Sequence, residues 1–172
     1  FRTAMASRLL PDASRIVVTH IGAALTPSMN TRANREELIN RRYTWRGSLT
    51  RHLTLKAIAR SRLLVVSSKM EGGANVISEA IVAGTPVLST HISGSLGMLG
   101  KDYPGYFPIG DTTVLAALLL QAEVDTIFYK HYFGLFLVKT EDLIPPKMKR
   151  TRRHGQTPHA QTKIAYFNKK TF

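Results

Sequence analysis

Two glutamates, Glu71 and Glu79, are separated by seven residues in the stretch MEGGANVISEAIVAGTP (residues 70–86), with Gly72 and Gly73 among them. A helix beginning near Asn75 would leave the backbone N–H groups of Gly72, Gly73, Ala74 and Asn75 open at its N-terminus, where orphan donors and the helix dipole favour an anion. Phosphate is the natural occupant of such a place. Carboxylates repel phosphate, but they accept hydrogen bonds from hydroxyls attached to it. A nucleotide sugar has both parts: phosphates in the middle and hydroxyl-rich rings at the two ends. The same residues also fit a plainer account, in which a glutamate complements a helix dipole and Gly-Gly forms a turn.

The elements around this stretch decide where the carboxylates can point. At about 100° per residue from Asn75, the side chains of Ala83, Val76, Ala80, Ile77 and Ile81 form one apolar arc. Asn75, Ser78 and Glu79 share the opposite side, with Val82 as an exception, so Glu79 is expected beside Asn75 and away from a sheet. Upstream, LLVVS (63–67) is a continuous apolar run suited to a strand covered on both faces, and VLST (87–90) follows the Gly84-Thr85-Pro86 stop.

The rest of the first 130 residues repeats this alternation. RIVVTHI (15–21) reads as a buried strand after a helix ending before Pro11; 22–30 reads as a loop, 31–40 as a helix and 42–47 as a short strand. Ser48 is a candidate N-cap for a helix with Leu49, Leu53 and Ala57 on one face, and HISGSLG (91–97) reads as a loop. YPGYFPIG carries a very short strand, and Asp111 caps a helix over VLAALLLQAE. Strand–helix alternation with short connections predicts an α/β domain, a Rossmann-like parallel sheet with helices on both faces, over residues 1–133.

Residues 134–172 break the pattern. From Leu143 to Phe172 there are eight basic residues and no acidic one, which leaves +5 of the formal +13 on residues 1–142. A disordered basic tail, or non-native sequence, is the expectation there. A nucleic-acid role would be electrostatic and non-specific, since the tail has no ordered alternation of basic and aromatic residues. There is no cysteine, which excludes disulfides, thiolate nucleophiles and Cys-based zinc sites, and the scattered histidines suggest no metal. The longest apolar candidate for a membrane span is broken by Lys130, His131 and Gly134, so a soluble protein is expected, and the lack of cysteine permits the cytoplasmic setting that is the expectation here. The chain opens on Phe1 without a pattern resembling a secretory signal, and a longer parent chain is expected.

SSKMEGGANVISEAIVAGTPVLST resembles the E-x7-E signature of the retaining family 4 glycosyltransferases of the GT-B fold, in which an acidic-Gly loop precedes a helix bearing Glu-Ala and ending in Gly-x-Pro. The matching positions are Glu71, Gly72, Glu79, Ala80, Gly84 and Pro86. RYTWRGSL, RSRLLVVSSKMEGGANVISEAIVAGTPVLST and GMLGKDYPGYFPIGD are similar to one branch, the selenosugar synthases of selenoneine biosynthesis, which join a UDP-sugar to selenophosphate. The likeness covers most of residues 1–130.

The resemblance implies the C-terminal, donor-binding half of such an enzyme. Glu79 would accept hydrogen bonds from the ribose hydroxyls of UDP. Glu71 would hold hydroxyls of the transferred sugar as the catalytic glutamate, and the N–H groups of Gly72, Gly73, Ala74 and Asn75 would meet the sugar and diphosphate. UDP-sugar is then a substrate, with no cofactor and no metal. An N-terminal domain would supply the acceptor side, and the fragment alone is expected not to turn over. Two departures stand out: Gly72-Gly73-Ala74 replaces a Gly-aromatic-Gly loop, and the basic pair that clamps the diphosphate has no match and is expected before Phe1.

Other candidates are weaker. His20 and His91 end predicted strands, Gly94, Gly97 and Gly100 could line an acceptor cleft, and Trp45, Tyr103, Tyr106 and Phe107 read as core or rim packing. No G-x-G-x-x-G follows the first strand, which disfavours a nicotinamide dehydrogenase. The competing readings are another family 4 hexosyltransferase with a different acceptor, and a non-enzymatic polyanion-binding protein.

Overall fold

A computed structural model describes residues 1–69 and 75–129, together with the backbone of 162–167. Its elements in chain order are α1 (Arg2–Ser7), β1 (Ile16–Ile21), α2 (Pro27–Ile39), β2 (Tyr43–Trp45), α3 (Arg51–Ala59), β3 (Leu63–Val66), α4 (Asn75–Ala83), β4 (Val87–Thr90), α5 (Ser93–Leu99), β5 (Tyr106–Phe107), α6 (Thr112–Val124) and β6 (Thr162–Phe167). The strands form one sheet in the order β2-β1-β6-β3-β4-β5, and every neighbouring pair is parallel.

The chain steps outward from β1 to β2 on one side and from β3 through β4 to β5 on the other. Right-handed crossovers in opposite directions put their helices on opposite faces. The contacts agree: α1 packs on α6 and holds α2 through Asn40, whose amide donates to the Ala4 carbonyl at 3.0 Å, while α3 packs on α4 and α4 on α5. Covered on both faces, β3 and β4 are buried at every position, and Leu63, Leu64, Val65 and Val66 are the apolar run that such a strand needs. Each large apolar side chain buried this way contributes about 1.5–3 kcal/mol. The α/β class, the parallel sheet and the two helical layers are as the sequence predicts.

Four elements differ from the sequence reading. Helix α2 begins at Pro27 rather than residue 31, because Thr26 caps it by accepting from the Met29 N–H at 3.2 Å and Pro27 fits a first helical position. In α3 the cap is Thr50 and not Ser48; the helix is thereby turned so that Thr54 and Ile58 are buried and Leu53 is exposed. HISGSLG is not a loop throughout: α5 starts at Ser93, with Ile92, Ser95 and Leu99 buried and the Ser95 hydroxyl bonded to that of Ser89 at 2.7 Å. Burial on that i, i+3, i+7 face outweighs the cost of two helical glycines, about 1 kcal/mol each.

The fourth difference is β6. The sequence reading assigns 134–172 no regular element, yet Thr162–Phe167 runs as a strand between β1 and β3. The composition of TKIAYF, with β-branched and aromatic residues and neither Pro nor Gly, suits a central strand. The remainder of that tail lies outside the described residues.

Candidate nucleotide-sugar site

Because all strands are parallel, their carboxyl ends share one edge, and the helices that follow them begin there. The strand order reverses between β1 and β3, and ligands of open α/β sheets gather outside the carboxyl ends at such a switch point. The edge is tied together by its own loops. The Gly22 N–H donates to the Gly47 carbonyl at 2.8 Å, the Trp45 indole N–H to the Gly22 carbonyl at 2.9 Å, and the Thr90 hydroxyl to the Ser68 carbonyl at 2.6 Å.

Helix α4 leaves this edge next to the switch point and spans Asn75 to Ala83, as its apolar arc predicts. It ends in a Schellman arrangement: the Thr85 N–H reaches the Ala80 carbonyl at 2.9 Å, the Gly84 N–H reaches that of Ile81 at 3.0 Å, and Gly84 takes φ 67°. Ile77, Ala80 and Ile81 are buried against the core, and Asn75 is exposed at the helix start.

Glu79 is not on an open face. Its side chain is only 11% exposed, since α3 packs across the side of α4 that the helical wheel leaves polar. Oε1 lies 3.7 Å from Nε of Arg51, the first residue of α3, whose own side chain is 74% exposed. Oε2 is buried and accepts no hydrogen bond from the described residues. Burial raises the pKa of this carboxyl above the ordinary glutamate value, and the Arg51 charge offsets part of that rise. Ser67, at the end of β3, likewise has a buried hydroxyl without a hydrogen-bond partner among the described residues.

Arg51 and Ser67 are additions to the residues anticipated from the sequence. Reading Thr50 rather than Ser48 as the cap would have placed Arg51 at the start of α3. Glu71, Gly72, Gly73 and Ala74 lie outside the described residues; Asn75 and Glu79 are on one helix, a little over one turn apart.

Several other candidates make contacts within the fold. His20 is buried and hydrogen-bonds through Nδ1 to the Tyr43 hydroxyl at 2.5 Å. Its pKa is lowered to about 3, chiefly by burial, so it is neutral near pH 7. Tyr103 is buried, donates to the Val87 carbonyl at 2.7 Å and accepts from its N–H at 3.2 Å. Tyr106 packs edge-on against His91. Gly100 ends α5 with φ 81°. Among the described residues no group of His, Cys, Asp and Glu is placed to hold a metal ion, and no helix is long and apolar enough to cross a membrane.

The sequence model described as "Glycosyl transferases group 1" matches residues 10–131. Among solved structures, Anabaena Alr3699/HepE in complex with UDP-glucose is similar at a TM-score of 0.69 and 17% identity, over 82% of this chain and 39% of that one. The same protein in complex with UDP and glucose is similar at 0.66 and 19% identity, over 82% and 38%. The chain thus spans about two-fifths of the length of these structures, whose likeness shows the GT-B fold. A search of curated protein sequences returned no match.

Proposed function

The chain belongs to the glycosyl transferases group 1 family, and from that premise we propose that it is the donor half of a family 4 enzyme, binding a UDP-sugar at the carboxyl edge of its sheet. The observation that carries this reading is the Glu79 carboxylate, buried at the switch point with Oε2 unsatisfied. An unsatisfied buried acceptor costs about 1–3 kcal/mol, more if charged. Hydroxyl donors on a ligand would recover that cost.

In this reading Glu79 accepts the ribose hydroxyls of UDP, and Arg51 steadies the carboxylate from its other oxygen. Glu71 holds the transferred sugar, and the N–H groups of Gly72 to Asn75 meet the diphosphate, stabilising the charge that develops on departing UDP. The two Anabaena structures, in complex with UDP-glucose and with UDP and glucose, support a UDP-sugar as the donor class. The acceptor is proposed to be selenophosphate, on the likeness of RYTWRGSL and GMLGKDYPGYFPIGD to selenosugar synthases. The acceptor side of the cleft would come from a further GT-B domain, and this part alone would bind donor without turnover.

Calorimetric titration with UDP-glucose tests the reading. Saturable binding that weakens in Glu71→Ala and Glu79→Ala is the expected result. Absence of binding at millimolar UDP-glucose, in a chain folded by circular dichroism, would contradict it.

A further inference from the structure

Between Asn40 and Met70 the sequence has eight basic residues and no acidic one. The fold uses half of them. Arg41 pairs with Asp12, and Arg42 donates to the carbonyls of Pro11, Asp12 and Ser14. Arg51 faces Glu79, and Arg62 donates to the Ala122 carbonyl while its guanidinium stands 3.8 Å over the Tyr129 ring. The other four, Arg46, Lys56, Arg60 and Lys69, are exposed, and their side chains pair with nothing among the described residues.

Lys56 on α3 and Arg60 at its C-cap stand one turn apart. At about 100° per residue, Ala59, His52, Lys56, Arg60 and Leu53 follow one another across about 120° of that helix. All five are exposed, while Thr54 and Ile58 on the other side are buried. Packing thus turns a cationic ridge outward with a large apolar side chain on its flank. The rest of this helical layer adds no exposed negative charge. The exposed residues of α4 and α5 are uncharged, Val82 among them, and Glu79, the layer's one carboxylate, is turned in against Arg51. The opposite layer mixes signs, with Glu37 exposed on α2 along with Arg32 and Arg35. Like charges one turn apart repel, and α3 has no acidic residue to offset them. A negatively charged partner would relieve that repulsion.

We propose that this face adsorbs to an anionic lipid bilayer, with Lys56 and Arg60 against lipid phosphates and Leu53 and Val82 entering the boundary between head groups and acyl chains. Basic helices with exposed apolar residues bind membrane surfaces in this way. Two features favour a bilayer over other polyanions. Leu53 and Val82 would gain nothing against a sugar–phosphate backbone, and α3, α4 and α5 carry no Phe, Tyr or Trp on which a base could stack. An acidic protein segment would need carboxylates matched to the two cations, whereas a bilayer presents phosphates at every spacing. Because α3 runs away from the carboxyl edge of the sheet, a bilayer lying along it leaves that edge open. The proposal is independent of which donor or acceptor is used.

The test uses the full chain, whose lack of cysteine allows a single label to be placed by substitution. A polarity-sensitive fluorophore on Ala59→Cys reports on the face. The same dye on Leu38→Cys, exposed on α2 in the opposite layer, is the control. Vesicles of phosphatidylcholine with phosphatidylglycerol should shift the emission at 59 to the blue and leave that at 38 in place, and phosphatidylcholine alone should shift neither. Adding Lys56→Gln and Arg60→Gln to the Ala59→Cys protein should raise the lipid concentration for half-maximal shift at least about 25-fold, since each cation near an anionic surface strengthens binding about fivefold. An unmoved label at 59 would overturn the proposal, whether the vesicles bind through the basic stretch 143–172 or not at all. So would equal shifts at 59 and 38, an unchanged midpoint in the glutamine variant, or an equal shift with phosphatidylcholine alone. A shift at 59 produced by duplex DNA and not by vesicles would assign the face to nucleic acid instead.

Discussion

Two glutamates of this molecule sit in nearly matched surroundings and differ in one respect. Glu36 on α2 and Glu79 on α4 have side chains 9% and 11% exposed, and each faces an arginine on a neighbouring helix, Arg8 at 3.8 Å and Arg51 at 3.7 Å. Glu36, however, also accepts from the Asn40 amide at 3.0 Å, and that amide further donates to the Ala4 carbonyl and the Ser7 hydroxyl. Glu79 receives no hydrogen bond on Oε2 from the described residues. One carboxylate is consumed by the fold, tying α2 to α1. The other is held near the carboxyl edge of the sheet with an acceptor to spare. Burial with an arginine neighbour is thus common to both, and the unfilled hydrogen-bonding capacity distinguishes the binding candidate.

The largest effect expected from breaking the comparison is on the Glu36 side. Asn40→Ala removes three buried hydrogen bonds and should lower stability by about 2–3 kcal/mol, read from the urea midpoint, with UDP-glucose affinity unchanged in the folded fraction. Next, Glu79→Ala should weaken UDP-glucose binding about tenfold or more while changing the urea midpoint little, because a hydrogen bond to a charged group contributes about 1.5–3 kcal/mol. Equal stability losses for the two variants would erase the distinction between the glutamates.

A smaller effect follows from protonation. Burial raises the folded-state pKa of Glu79 above its unfolded value, so its contribution to stability is fully present below the unfolded pKa and is lost as pH rises through the folded one. Glu79→Gln should therefore be more stable than the parent chain near neutral pH, with the difference closing in acid. Binding should show the opposite trend. UDP-glucose affinity in the parent should strengthen as Glu79 ionises, and Glu79→Gln should lack that rise. The smallest effect is at Arg51, whose side chain is mostly exposed: Arg51→Ala should alter stability by no more than about 0.5 kcal/mol. It should raise the Glu79 pKa further, as carboxyl-carbon NMR would read.

The parts of this molecule legible in the sequence are those governed by local pattern. The bounds of α4 follow from its apolar arc and Gly84, β3 and β4 from unbroken apolar runs, and the start of α6 from Asp111, which accepts from the Thr113 and Val114 N–H groups at 3.0 and 2.9 Å. Tertiary contacts decide the rest. The helical wheel of α4 places Glu79 opposite the core, but only the position of α3 shows that this side is covered and that Arg51 is the neighbour. Helix α5 forms despite two glycines because the sheet buries one face, and β6 pairs with strands more than ninety residues away in the chain. No local window contains either cause. The loop bearing Glu71 is the converse case: it carries the strongest motif in the sequence, and the described residues begin just beyond it at Asn75.

The central claim, that the free acceptor of Glu79 is kept for ribose hydroxyls, is tested most directly by a ligand–residue cycle. Dissociation constants are measured for UDP and for 2′,3′-dideoxy-UDP against the parent chain and against Glu79→Ala. The account predicts that loss of the hydroxyls costs the parent about tenfold or more and costs the variant almost nothing, a coupling of at least about 1.4 kcal/mol. The same ratio of affinities in both proteins would contradict it.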